Sequence, residues 1–227
     1  MGVRGVRLGE GAEIIAGLRG TDPISPYRHG SIGLSRYYLD PLVFPLDVFF
    51  DAPAGKRTFE GLLYGAAGVA ELRRTTELGE ALVSVRQIGS SVMGQDVLSY
   101  QYALVAAEGS WRLASQTTDS TTPIANVGNA PVGDAVIDID TSASGTDVVV
   151  TMTGDGATIT IEGATPTGGV RVDLGTGLIT ELGGSTDYGE FVSFNKPYGV
   201  ILEPGSNAFT TSGGPSEVTF KFFPRLR

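Results

Sequence analysis

The 227-residue chain has no cysteine, 33 glycines, 18% charged residues and a formal net charge of −9. The missing cysteines exclude disulfides, thiolate nucleophiles and cysteine-held metals, and the acidic balance repels phosphate backbones, which argues against specific nucleic-acid binding. Glycine-rich composition with modest aromatic content suits many short strands joined by turns, in one large β domain or two small ones.

No apolar run is long enough for a signal peptide or for the roughly 18 residues of a transmembrane helix, so neither is expected. Val3, Val6 and Leu8 begin a strand, and Ile14, Ile15 and Leu18 a second. Residues 21–40 read as a long irregular loop punctuated by Pro23, Pro26, Gly30 and Gly33, with Tyr27, Tyr37 and Tyr38 adding aromatic bulk. A loop of this length is either functional and ordered by a partner, or an Ω-loop packed on its own aromatics. Leu42–Asp51 (LVFPLDVFFD) is apolar almost throughout, and Pro45 predicts an edge strand or a break at that residue. Phe49 and Phe50 are adjacent, so on a strand they face opposite ways. One can enter the core while the other meets a subunit, or both can be buried within one domain.

Lys56–Gly65 is the best helical stretch, with Thr58 as a candidate N-cap and Phe59, Leu62 and Leu63 at helical spacing. Gly61, Gly65 and Gly68 should keep it short. Strands then open at Leu72, run through Leu82–Ile88 after the turn at Glu77–Glu80, and run again over Val97–Ala107, followed by the sole tryptophan, Trp111. The polar run Ala114–Thr122 carries no apolar period and reads as a linker. It places a boundary near 115–123 and gives two domains, 1–118 and 119–227.

The second half alternates in period two. Ala135, Ile137 and Ile139 interleave with Val136, Asp138 and Asp140. Val148, Val150 and Met152 lead to the Asp155-Gly156 turn, and Ile159 and Ile161 follow. Val170, Val172 and Leu174 make one arm of a hairpin, Gly175-Thr176-Gly177 its turn, and Leu178, Thr180 and Leu182 the return. Val192 and Phe194 mark another strand, and a further one ends at Leu202. Glu203-Pro204-Gly205-Ser206-Asn207 then reads as a type II turn, with Pro204 at the first corner and Gly205 at positive φ. Val218, Phe220 and Phe222 close the set. Turn signals at roughly ten-residue spacing indicate an antiparallel β-sandwich. Residues 121–227 hold 5 Lys+Arg against 12 Asp+Glu, a net of −7, so most of the negative charge lies here.

The V-D strand with its tight turn, the stretch closing on Leu202-Glu-Pro-Gly-Ser-Asn207, the opening Ile124-Ala-Asn126-Val-Gly128-Asn129-Ala-Pro131 and the terminal Phe222-Phe223-Pro224-Arg225 together resemble the C-terminal domain of siphophage distal tail proteins. The resemblance covers residues 120–227; in the first half it rests on the order of elements. It implies a mainly β chain, with an N-terminal ring (belt) domain carrying one short helix and a C-terminal galectin-like sandwich. It further implies a virion protein at the distal end of the tail, a hexameric ring joining tail tube to tail-tip hub, with the tape measure protein as a further neighbour. Phe44, Phe49, Phe50, Tyr100 and Tyr102 are the candidate ring-interface residues, because consecutive aromatics on strands cannot all face one small core.

Chemistry-bearing patterns are sparse. The single histidine, His29, has no His-x-x-x-His or Gly-x-Ser-x-Gly beside it and reads as a loop side chain. Asp138 and Asp140 share a strand face, as two Ca²⁺ ligands would or as the exposed face of a protected edge strand would; no Gly-anchored ligand loop follows them. No pair of carboxylates sits in the apolar setting that a glycosidase requires. Neither an enzyme nor a cofactor is expected. The alternative reading is a carbohydrate-binding module for host attachment, with Tyr188 and Tyr198 as platforms.

Overall fold

A computed structural model describes residues 3–8, 42–64, 70–92, 98–106, 109–141, 146–163, 168–196, 199–215 and 217–227. The expected strand at Ile14–Leu18, the 21–40 loop with His29, and Tyr198 lie outside them. The protein is mainly β, and the chain divides into two compact units between Arg112 and Leu113.

The first unit contains β1 (Val3–Leu8), β2 (Leu42–Phe50), α1 (Pro53–Tyr64), β3 (Ala70–Thr76), β4 (Gly79–Val92), β5 (Ser99–Ala106) and the start of β6 (Trp111–Leu113). Antiparallel pairing gives the order β1-β2-β5-β4, and β3 pairs the first half of β4. The expected edge or break at Pro45 is not found: β2 runs unbroken and has neighbours on both sides. Pro45 stands opposite Ala103 of β5, and β1 is described against Leu46–Phe50. The helix starts at Pro53, not Lys56. Proline suits a first helical position, where its missing N–H goes unneeded. Thr58 therefore lies inside α1, and its hydroxyl donates back to the Ala54 carbonyl at 3.1 Å instead of capping.

The second unit contains β7 (Thr117–Asp119), β8 (Ile124–Asn126), β9 (Val136–Asp140), β10 (Val148–Met152), β11 (Thr158–Ile161), β12 (Val170–Asp173), β13 (Ile179–Glu181), β14 (Val192–Phe194), β15 (Gly205–Asn207), β16 (Phe209–Ser212), β17 (Glu217–Phe222) and β18 (Arg225–Leu226). Two antiparallel sheets, β14-β11-β10-β16 and β13-β12-β9-β17-β7, contribute to one aliphatic core. Ile137, Ile139, Val170, Val172, Phe220 and Phe222 come from the second sheet, and Val148, Val150, Met152, Ile159, Ile161 and Phe209 from the first. The alternation read from the sequence is the alternation buried, apart from the return arm of the 170–182 hairpin. There Ile179 packs against the core while Leu178 is 62% exposed. The 114–122 run is not a free linker: Thr117–Asp119 pairs with Phe220–Phe222 as an edge strand. Thr favours a pleated surface, and that preference outweighs the polar composition used to read a linker.

Candidate functional site

The five aromatic positions do not share one environment. Phe50 is 3% exposed and Tyr102 fully buried. Both lie under α1: Phe59 meets Phe50 edge-on at 5.8 Å and Tyr102 at 5.1 Å between ring centres. The Tyr102 hydroxyl donates to Glu60 Oε1 at 3.3 Å. Phe50 and Tyr102 are therefore core residues of the first unit, not surface residues of it. Phe49 and Tyr100 are half-buried, and the side chain of Phe44 lies outside the described set. Lys56 Nζ sits 4.0 Å from the centre of the Tyr100 ring, and hydrogen bonding to the Tyr100 side chain, helped by the Glu60 charge, raises the lysine pKa.

In the second unit the sequence motifs converge on one seam. β15 pairs with β8, placing Gly205 opposite Asn126 and Asn207 opposite Ile124. The Asn207 side chain closes the turn before it: its Oδ1 accepts from Glu203 N at 2.8 Å, and its Nδ2 donates to Glu203 O at 2.8 Å. Gly205 has φ +92°, the positive φ that this turn was expected to need. Asn126 is 1% exposed; its Nδ2 donates to the carbonyls of Ala130 at 3.2 Å and Leu202 at 3.1 Å, and its Oδ1 accepts from Gly128 N at 3.0 Å. Gly128 lets the C-terminal strand approach, since a Cβ there would lie 2.7 Å from Arg225 N and collide with that backbone. Asn129 accepts from Arg227 N at 2.7 Å, and Arg225 pairs with Asp134. Sequence spacing identified the turns; it did not show that the amides of Asn126, Asn129 and Asn207 stand in for missing backbone partners.

No protein-family model matches the chain, and no curated protein matches its sequence. Among solved structures it is similar over 99% of its length to 92% of the SPP1 Dit protein (gp 19.1), a paradigm of hub adsorption apparatus in Gram-positive-infecting phages, with a TM-score of 0.61 at 13% identity. The chain has the fold of SPP1 Dit. Two structures of the phage P2 baseplate in its activated conformation match less well. The one with Ca has a TM-score of 0.42 at 11% identity, covering 82% of this chain and 79% of that one. The one with Sr has a TM-score of 0.40 at 12% identity, covering 80% and 78%.

On this Dit fold, the outer faces of the sandwich differ in chemistry. The five-stranded sheet carries charge. Asp138 lies on β9, between β12 and β17, and so is not the exposed edge carboxylate expected. It is 8% exposed and accepts from Arg171 Nε at 2.7 Å and Nη2 at 2.9 Å and from Lys221 Nζ at 2.7 Å. Burial pushes its pKa up, but the hydrogen bonds and charges of Arg171 and Lys221 outweigh this and hold it below the usual carboxylate range. The four-stranded sheet is uncharged where its strands pair: Ser193, Thr160, Val149 and Ser212 lie in one cross-strand row, and Thr158, Thr151 and Thr210 in the next. Tyr188, a proposed sugar platform, is half-buried against the core with its ring edge-on to Phe191 at 6.0 Å. Among the described residues no group of three His, Asp or Glu side chains is placed to hold a metal.

Proposed function

We propose that this chain is a structural virion protein of a siphophage tail tip, forming a ring, most simply of six copies, that joins the tail tube to the tail-tip hub. The observation that carries the reading is the match along nearly the whole chain to SPP1 Dit, both units included. The motif seam supports it from an independent direction. The residues that resemble the distal tail family are used here to hold one sandwich together, which is the role a scaffold requires. In this reading residues 1–118 form the belt and 119–227 a galectin-like domain, the tape measure protein is a further neighbour, and the protein catalyses nothing. Phe44, Phe49 and Tyr100 remain the proposed ring contacts, joined by Leu62, Leu78 and Ile88, the exposed large apolar side chains among the described residues of the first unit. A head-to-tail contact between unlike faces closes into a ring when the rotation fits. Light scattering on the full-length protein tests this: a discrete oligomer is expected, and Leu62→Glu with Ile88→Glu should reduce it to monomer without unfolding it. Oligomer mass unchanged by these substitutions would move the interface elsewhere.

A further inference from the structure

The hydroxyl-covered face ends at a cavity that the ring reading leaves unused. The cavity has a volume of about 330 Å³ and lies between the β10–β11 turn and residues 201–208. Gly154, at the tip of that turn, and Ala208, two residues before Thr210, put it next to the Thr151–Thr210 row. Its lining includes the buried apolar side chains of Met152 and Ile201 and, as polar groups, Asp155, Glu203, Ser206 and Asn207. Hydrogen bonds tie two of its polar groups to the backbone. Asp155 Oδ1 accepts from Ala157 N at 2.9 Å, and Asn207 is clamped on the Glu203 and Gly205 carbonyls.

We propose that this cavity and the adjoining hydroxyl face bind a neutral, hydroxyl-rich chain, a hexose oligosaccharide. A carboxylate accepts hydrogen bonds and donates none, so Glu203 selects a ligand rich in O–H donors. The Asp155 carboxylate is balanced by Lys196 at 3.1 Å, which leaves Glu203 as the lining carboxylate without an ion pair among the described residues and disfavours phosphate or carboxylate ligands. Beyond the cavity, Thr and Ser present hydroxyls and methyls on short side chains, so a chain carrying both O–H and C–H faces meets matching groups. Little rotamer entropy is lost in ordering them, and no ionic group has to be desolvated. A mixed lining of this size, apolar below and polar at a few points, is the usual form of a small-ligand site. The inference goes beyond the ring and does not require it.

The test is calorimetric titration of the full-length protein with neutral trisaccharides of glucose, galactose and N-acetylglucosamine, and with a glycerol phosphate trimer as the anionic control. Saturable binding of at least one neutral trisaccharide is expected, and none of the anion. Glu203→Ala and the cavity-filling Ala208→Trp should each weaken binding about tenfold or more, or 1.4 kcal/mol. Glu217→Ala, which removes the same charge from the other sheet, should leave it unchanged. No binding of any neutral trisaccharide at millimolar concentration, equal binding of the anion, or full affinity in both cavity variants overturns the proposal. Oligomer mass, read on the same samples, reports on the ring independently.

Discussion

The two units stabilise irregular backbone in different ways. In the first, α1 is laid over an aromatic cluster of Phe50, Phe59, Tyr100 and Tyr102, where adhesion comes from ring area and tilted ring contacts. In the second, the core is mostly aliphatic, and the chain around it is tied by asparagine amides that bond backbone groups of Leu202, Ala130, Glu203 and Arg227. Area-based adhesion is graded and tolerates substitution by size. Amide clamps require one residue type, because a deleted amide leaves several buried groups unpaired.

The largest expected effect lies in the seam. Gly128→Val drives a side chain into the Arg225 backbone and should cost about 3 kcal/mol or more. Gly205→Val meets no heavy atom within 4 Å but keeps a positive φ, so about 1 kcal/mol of backbone strain is expected. Equal losses in chemical denaturation would mean that close approach at Gly128 is not what the seam needs. Next comes Phe50→Ala, which removes a buried ring and should cost about 3 kcal/mol, with Phe49→Ala, on the opposite strand face, costing clearly less. If the two units unfold separately, calorimetry should place the Gly128→Val loss in one transition and the Phe50→Ala loss in the other. A single transition shifted by both would break the comparison.

Asn126→Ala should cost about 2 kcal/mol, because Gly128 N and the Ala130 carbonyl lose their side-chain partner while the Leu202 carbonyl keeps Val132 N; the exposed Asn129→Ala loses less. The smallest effect is electrostatic. Asp138 is held below its ordinary pKa, so its pairing stabilises the fold at pH above the unfolded value of about 4 and is lost as pH falls through the lower folded value. Arg171 and Lys221 are partly solvated, which limits the contribution to about 1–2 kcal/mol. The stability gap between wild type and Asp138→Asn should therefore be full near neutrality and close in acid. A gap that persists at pH 2 would assign the loss to packing.

Period-two alternation made most strands of the sandwich legible, because each has one face in a single core. It failed where the partner decides the outcome. Nothing in LGTGLITELG says which of two adjacent apolar residues faces inward; pairing with Val172 selects Ile179 over Leu178. Asp138 read as exposed because its cationic partners lie 33 and 83 residues away in the chain. The candidate interface was only partly legible for the same reason. Aromatic adjacency shows that some rings must leave a core, but the placement of α1 decided that Phe50 and Tyr102 stay in it. The Asn and Gly positions of the seam were visible as turn chemistry, while their long-range partners were not.

The ring is the central claim, and electron micrographs of the purified full-length protein test it most directly. Closed rings with a central hole, averaging to six-fold symmetry, are the predicted result. Particles that remain monomeric at high concentration, alone and when mixed with tail tube and hub proteins, would contradict it and leave the chain with the Dit fold but without the ring.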